Sequence, residues 1–447
     1  GAKIRNSYGL AYYLLKEARV AIVPGDAFGA DDYIRLSYAT SMANLEKSMD
    51  RIVEALGRLK PARTARRVAL SNAVTRVRKA VPVETVTDAR MRDALVAEME
   101  GRLGYEGRYE WNARIGGAVI QLRTNVAHLN DFWVENFPPA AGEAEVRPHG
   151  VVYAVDGIAG REPRGFYHEA TATGVLVNTD HYGALRSLAL GLVMDIAART
   201  GGAGAAGAVR GMSADLDGSG VVLVGPPGTR KTELFFELLA DPRFKIHSND
   251  VVFVETDGGR AAADNVERKL YVPTAAVELD RRLAPLFDRS KCENVVVHKD
   301  DCRDLACQRG DDCRLDRGSP YCYKAAKEAH ALLDPAWLGG PAAAARRTTL
   351  RWLVLLRNDE TSPAVVELGR DEALRALEAG EAAGARQALT AGKTQPFFNP
   401  HLLGASAGKL EAQREFFGRL LGSVRCVLFN SGVAGADKLR ELVSTGR

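Results

Sequence analysis

The sequence lacks any long apolar run, and none of its 447 residues lies in a stretch approaching the roughly 20 apolar residues that span a bilayer. An excess of charge of one sign is also missing, because 60 basic and 56 acidic residues leave a net charge of +4. Neither a membrane nor a nucleic acid is therefore favoured as a partner. Lys16, Glu17 and Arg19 interrupt the first apolar stretch, so no signal peptide is predicted and a cytoplasmic location is expected.

The chain is long enough for two or three domains, and its 46% hydrophobic share can build a core. Apolar residues recur at helical spacing between positions 42 and 59, and Pro61 ends this predicted helix. A Gly/Ala linker lies further along the chain at 201–207. We predict an N-terminal accessory unit at 1–61, an α+β lobe at 62–200 and an α/β core at 208–447.

A glycine-rich loop lies at the centre of the predicted core. A β-branched run at 220–224 leads into the loop GPPGTRKT at 225–232, and residues 233–240 have helical composition. Small loop residues let backbone N–H groups surround phosphate oxygens, and the helix N-terminus adds partial positive charge. This context predicts a P-loop. The predicted phosphate-binding residues are Gly225, Gly228, Thr229, Arg230, Lys231 and Thr232.

The side chains of this loop suggest distinct roles. Lys231 is expected to contact the β/γ-phosphates, and Thr232 to hold Mg²⁺. Asp250, near the end of the apolar run at 245–254, is the candidate metal ligand or general base. Arg230 stands where the pattern has glycine, so it either reshapes the loop or adds a second phosphate cation.

Residues 208–254 resemble the HPr kinase/phosphorylase and phosphoenolpyruvate carboxykinase group of P-loop enzymes. Lys231-Thr232-Glu233 and Asp250 carry the resemblance, whereas Asn249 and Arg210-Gly211 depart from the pattern. The resemblance implies an α/β P-loop core with a mixed sheet, ATP and Mg²⁺. Together with Arg230 in the loop, Asn249 and Arg210 weaken the case for complete kinase/phosphorylase chemistry.

The expected function is an ATP-dependent phosphotransferase that modifies a protein serine or a small hydroxy acid or amino acid. A regulatory nucleotide-binding module without turnover and a carboxykinase-like lyase are the alternatives. Arg346 and Arg347 open an apolar run at 350–356 and are candidates for stabilising transition-state charge. The expected partners are a nucleotide and a small-molecule or protein acceptor, and homo-oligomerisation is left open.

A second resemblance links residues 18–61 to the C-terminal end of aspartate aminotransferase-like fold-type I enzymes. It rests on Val23-Pro24-Gly25, Phe28-Gly29 and the run YIRLSY at 33–38. Arg35 matches the arginine that binds the substrate α-carboxylate in that family, a role suited to its forked guanidinium. No pyridoxal-lysine segment and no large domain are found, so transamination is not predicted from the sequence.

Five of the six cysteines fall between positions 292 and 322, in a charged insertion with few apolar residues. A metal would supply the stability that such a segment lacks. Zn²⁺ or an iron–sulfur cluster is the leading interpretation, with disulfides or free thiols as alternatives. The candidate ligands are Cys302, Cys307, Cys313 and Cys322, with Cys292 as a further option.

Overall fold

The protein divides into two compact units, Gly1–Ala69 and Leu70–Arg447, and the predicted parts at 62–200 and 208–447 both fall mainly in the second unit. The structure is a computed structural model. It describes residues 4, 7–28, 33–59, 73–74, 83–104, 108–140, 147–200, 205–226, 228–287, 289–296, 302, 313, 315–317, 321–322, 329–379, 403 and 407–445.

The first unit consists of two helices and a two-stranded ribbon: α1 (Ser7–Glu17), β1 (Val23–Pro24), β2 (Ile34–Arg35) and α2 (Met42–Gly57). The Ser41 hydroxyl caps α2 by accepting a hydrogen bond from the Asn44 N–H. A small apolar core joins the two helices, and it comprises Leu14, Ala18, Ile52 and Ala55. The predicted helix is confirmed.

The second unit begins with an α/β layer. The elements of the second unit as far as residue 200 are β3 (Ala73–Val74), β4 (Val83–Thr85), α3 (Ala89–Leu103), β5 (Tyr109–Ile115), β6 (Ala118–Thr124), α4 (Ala127–Asn136), β7 (Gly150–Val155), β8 (Arg164–His168), β9 (Thr173–Val177) and α5 (Tyr182–Thr200). Six strands form one sheet in the order β4-β8-β9-β7-β6-β5. Helix α5 is apolar almost all round, as expected of a helix between two layers.

A larger sheet comes next along the chain. The remaining elements are β10 (Ala205–Arg210), β11 (Met212–Leu216), β12 (Ser219–Val224), α6 (Lys231–Leu238), β13 (Phe244–Ser248), β14 (Val251–Asp257), β15 (Arg260–Asp264), β16 (Leu270–Pro273), α7 (Ala284–Phe287), β17 (Lys291–Glu293), β18 (His330–Leu333), β19 (Arg347–Arg357), β20 (Val365–Leu368), α8 (Arg370–Ala379), α9 (Ala407–Leu420), β21 (Arg425–Asn430) and α10 (Ala436–Thr445).

Nine of these strands form a mixed sheet with the main path β10-β14-β15-β19-β12-β11-β13, while β21 pairs with β19 and with β20. The β12–β19 and β19–β21 pairs are parallel. Strands β16, β18, β17 and β3 form a separate small sheet. The α/β class is therefore confirmed. Within the described part of the chain, no helix combines the length and apolarity needed to cross a bilayer.

Candidate functional site

The glycine-rich loop connects β12 to α6, as the sequence predicts. Gly228 adopts φ +89°, a conformation that favours glycine, and the Thr229 hydroxyl donates to the Pro226 carbonyl at 2.8 Å. The Lys231 ammonium reaches back and donates to the Gly225 carbonyl at 3.2 Å. Burial lowers the pKa of Lys231, although the Asp250 carboxylate opposes this effect. The loop thus holds a partly buried cation at the start of a helix.

Arg230 occupies the position where the loop pattern has glycine, and its backbone is left-handed with φ 53° and ψ 24°. The loop therefore keeps the conformation that favours glycine, despite the side chain. The guanidinium donates to Glu233 at 2.8 Å and to the Ser431 carbonyl at 3.0 Å. These contacts hold the side chain against α6 and the end of β21, and a role for Arg230 as a second phosphate cation stays a prediction.

Asp250 lies beside Lys231 and forms an ion pair with Arg186, and its role as metal ligand or general base stays a prediction. Its carboxylate accepts a hydrogen bond from Arg186 at 2.7 Å. Burial opposes its ionisation, yet the charge of Arg186, followed by those of Arg210 and Lys231, holds the pKa of Asp250 below its ordinary value. A carboxylate held in this way is a weak proton acceptor.

Arg186 is a residue that the sequence analysis missed. It lies on α5, is 3% exposed, and also donates to the buried Glu267 at 2.6 Å. Asn136 donates to the same carboxylate at 2.7 Å. Arg186 thereby links Asp250, which directly precedes β14, to Glu267, which lies in the segment before β16. The available signal was an arginine in the mainly apolar first half of this helix.

Glu293 forms a second buried cluster that the sequence analysis did not identify. Its carboxyl group accepts the N–H groups of Tyr182 at 3.0 Å and Gly183 at 3.2 Å, together with the Tyr271 hydroxyl. The imidazole of His181 lies 3.4 Å away. Burial raises the pKa of Glu293 to about 7. The group therefore changes protonation near neutral pH.

Arg346 and Arg347 lie away from the glycine-rich loop. Strand β12 is parallel to β19, with Ser219 opposite Thr349 and Val224 opposite Leu355. Both arginines precede Thr349, whereas the loop follows Val224. From Arg347 to Leu355, which lies opposite Val224, the strand advances eight residues, or roughly 26 Å at about 3.3 Å per residue. This separation corrects their assignment as catalytic partners of Lys231.

The cysteine residues do not form a metal centre within the described residues, where no cluster of three or more possible metal-ligating side chains occurs. Cys302 and Cys322 pack around Val296, and Cys313 is also buried. Cys292, which lies on β17, is buried as well. Cys307 lies outside the described residues. The Zn²⁺ or iron–sulfur prediction is therefore corrected.

Arg35, in the first unit, is exposed on β2. Its guanidinium carbon lies 5.3 Å from the centre of the Phe28 ring, a cation–π distance. Among the described residues of the first unit, none forms a hydrogen bond or an ion pair with the Arg35 side chain. Its donors face solvent.

Comparison with known proteins finds relatives that are aminotransferases, and the match lies in the N-terminal region. The bifunctional aspartate aminotransferase and glutamate/aspartate-prephenate aminotransferase of Petunia hybrida is 53% identical over 58 residues, which are 13% of this chain and 12% of the relative. A probable aspartate/prephenate aminotransferase of Rickettsia conorii is 60% identical over 52 residues, 12% of this chain and 13% of the relative.

An aspartate aminotransferase of Rhizobium meliloti is 46% identical over 59 residues, 13% of this chain and 14% of the relative. The chain thus spans only 12% to 14% of the length of these relatives. No family model matches the chain. The N-terminal resemblance to aminotransferases is supported.

These findings correct the kinase interpretation. The relatives are aminotransferases, so the proposed membership of the HPr kinase and carboxykinase group and the ATP-dependent phosphotransferase function are wrong. The nucleotide-binding module and the carboxykinase-like lyase do not match either. The relatives imply pyridoxal phosphate in place of ATP and Mg²⁺.

Pyridoxal phosphate does not fit the described residues of the first unit. The cofactor needs a lysine for its Schiff base and an acidic or basic partner for its ring nitrogen. Lys16 and Lys47 are exposed on α1 and α2. The buried core of this unit is apolar apart from Ser7, so its described part offers no enclosed charged partner. The matched segment therefore does not form a complete transaminase site by itself.

Proposed function

We propose that this protein is a transferase that takes part in amino-group transfer, and that its first unit recognises the carboxylate of the substrate. Support comes from the 46% to 60% identity of the N-terminal region to aminotransferases that are named for aspartate or prephenate. The substrate class is then an amino acid or 2-oxo acid related to aspartate.

The proposal rests on the exposure of the Arg35 side chain, which forms no hydrogen bond or ion pair with the described residues of its unit. Arginine binds a carboxylate through two parallel N–H donors, and this pairing is stronger than a neutral hydrogen bond. The centre of the Phe28 ring lies 5.3 Å from the guanidinium carbon of Arg35. This contact involves one face of the guanidinium and leaves the N–H donors at its edge accessible. Because no cofactor lysine fits within the described residues of this unit, its part in the reaction is to bind and orient the substrate.

The test is calorimetric titration of the full chain with L-aspartate and with 2-oxoglutarate. We expect binding that weakens by about 10-fold or more in Arg35→Gln, because a hydrogen-bonded pair with a charged group contributes about 1.5–3 kcal/mol. Arg51→Gln is the matched control, since Arg51 is exposed on α2 of the same unit. Absence of binding by the unmodified chain, or equal weakening in both variants, would disprove the proposal.

A second candidate function concerns the glycine-rich loop, where we propose an oxyanion site formed by Lys231 and the N-terminus of α6. The supporting observation is the burial of the Lys231 ammonium against the Gly225 carbonyl, which lowers its pKa. An anion bound there would stabilise the charged form. No kinase chemistry is assigned to this site.

Inorganic phosphate and sulfate are suitable probes of the oxyanion site. We expect either ion to raise the midpoint of thermal unfolding in the unmodified chain and to have no effect in Lys231→Met. Lys245→Met provides the control, because Lys245 lies on β13 of the same sheet and is partly buried. Equal stabilisation of all three proteins would indicate general salt effects and would exclude a site at Lys231.

A further inference from the structure

An open cleft of about 720 Å³ lies in the second unit, between the β5–β6 hairpin and the nine-stranded sheet. The last turns of α5 line the cleft, as do the middle of β14 and the end of β15. Ligand sites in proteins commonly have volumes of about 300–1,000 Å³. The cleft is therefore large enough for a small organic molecule.

The cleft has an apolar floor. Val193 and Ile196 come from α5, Phe253 comes from β14, and Val266 follows β15. All four belong to one buried apolar cluster, so the floor is a fixed part of the core rather than a mobile surface. Such a surface takes up the hydrocarbon part of a ligand at a gain of about 25 cal/mol per Å² of apolar area.

The rim of the cleft carries three arginines and two carboxylates. Arg347 pairs with Asp264 at 3.4 Å and with Glu255 at 3.7 Å, so these three charges largely satisfy one another. Arg114 and Arg346 are exposed and line the same cleft. Within the described residues, neither of their side chains forms a hydrogen bond or an ion pair. Two guanidinium groups are thus available for an anion.

His149 adds a donor to this cleft. Its Nδ1 accepts a hydrogen bond from the Val119 N–H at 2.9 Å, so in the neutral imidazole the proton lies on Nε2. Both arginines and this histidine lie on elements of the same compact unit. The same cleft thus combines cationic and neutral N–H donors with an apolar floor, the combination found in sites for amphipathic acids.

We infer that this cleft binds a small organic acid, with its carboxylate held by Arg114 and Arg346 and its apolar body on Val193, Ile196 and Phe253. The site is separate from the glycine-rich loop, because Arg346 precedes β19 and the loop follows the opposite end of the neighbouring strand β12. None of the residues that line the cleft belongs to the other unit, which contains Arg35.

The experiment compares hexanoate and benzoate with the uncharged hexanamide and benzamide, each titrated into the full chain and followed by calorimetry. We expect the acids to bind and the amides to bind at least about 10-fold more weakly, because the amides lose the charge-assisted bonds. Arg346→Gln and Arg114→Gln should each weaken acid binding by a similar factor.

Arg351→Gln is the matched control, since Arg351 is exposed on β19 and does not line the cleft. It should leave acid binding unchanged. Equal affinity for acids and amides would overturn the inference, as would undiminished acid binding in the Arg114→Gln/Arg346→Gln double variant. Failure of the unmodified chain to bind either acid would overturn it as well.

Discussion

The two units differ in how they use apolar side chains. Among the described residues, thirteen of the nineteen exposed large apolar side chains belong to the first unit, although that unit is much the smaller. Its own core contains four fully buried residues. The second unit instead buries its apolar surface in several clusters and places charged groups between them. Stability in the first unit therefore rests on few contacts, whereas in the second it also depends on paired buried charges.

The tryptophans allow the two units to be followed separately. All four, at positions 111, 133, 337 and 352, lie in the second unit. Their fluorescence reports unfolding of that unit alone, while far-UV circular dichroism reports both. The effect of a substitution can therefore be assigned to one unit or the other.

Replacing Arg186 by methionine should have the largest effect and destabilise the second unit by about 4 kcal/mol, because Glu267 would remain buried without its partner charge. Urea unfolding followed by tryptophan fluorescence measures the change. Arg351→Met, an exposed replacement on β19, should change the free energy of unfolding by less than about 0.5 kcal/mol. Equal effects of the two substitutions would mean that the buried ion pair does not contribute to the free energy of unfolding of this unit.

Glu293 should make the second unit less stable as the pH rises. Its pKa is about 7 in the folded protein against an ordinary 4.5, so the folded state binds the proton more tightly. Stability is then greatest below about pH 4.5, falls up to about pH 7 and is constant above it, with a total change of about 3 kcal/mol. Glu293→Gln removes this contribution, which is measured as the difference from the unmodified chain in urea titrations across that range.

A control for the pH experiment is Glu360→Gln, because Glu360 is exposed. This variant should follow the unmodified chain at every pH. His181, 3.4 Å from Glu293, is present in all three proteins, so comparing them separates the glutamate from the histidine. An unchanged pH profile in Glu293→Gln would contradict the prediction.

Leu14→Ala should destabilise the first unit by about 2 kcal/mol or more, since Leu14 is fully buried in a core with few other members. The circular dichroism transition of the first unit should shift, and the tryptophan transition should not. Leu15→Ala is the control on the same helix, because Leu15 is 51% exposed. A shift of both transitions in Leu14→Ala would show that the two units unfold together.

The smallest effect concerns the backbone of Arg230. Both Arg230→Ala and Arg230→Gly lose the contacts with Glu233 and Ser431, so their difference isolates the left-handed conformation at φ 53°. The glycine variant should be more stable than the alanine variant by about 1 kcal/mol. Urea unfolding by fluorescence gives this difference, and equal stabilities would show that the loop relaxes when the arginine is removed.

Local patterns in the sequence predicted local structure well. The spacing of apolar residues predicted α2, and the order of strand, glycine-rich loop and helix predicted β12 and α6, because hydrogen bonds and turns along neighbouring residues determine these elements. Arg186 could not be placed in the same way, because its partners Asp250 and Glu267 are 64 and 81 residues away.

Two further site assignments depended on the direction of paired strands and on contacts between residues that are distant in the sequence. Arg346 and Arg347 were grouped with the loop because both adjoin apolar strands, but the parallel pairing of β12 with β19 puts them at opposite ends of the sheet. Glu293 gave no signal in the sequence, where it simply follows Cys292 at the start of a charged insertion. Its role depends on Tyr271 and on the start of α5, which approach it only in the folded chain.

The sequence by itself determined the α/β class, the helix of the first unit, the glycine-rich loop and the aminotransferase-like segment that contains Arg35. The tertiary structure alone decided which charged groups meet, namely Arg186 with Asp250 and Glu267, and Glu293 with His181. It also decided that Arg114 and Arg346 line one cleft. The physical reason is that helices, turns and strands form from neighbouring residues, whereas burial and electrostatic pairing depend on strand order and on packing between distant segments.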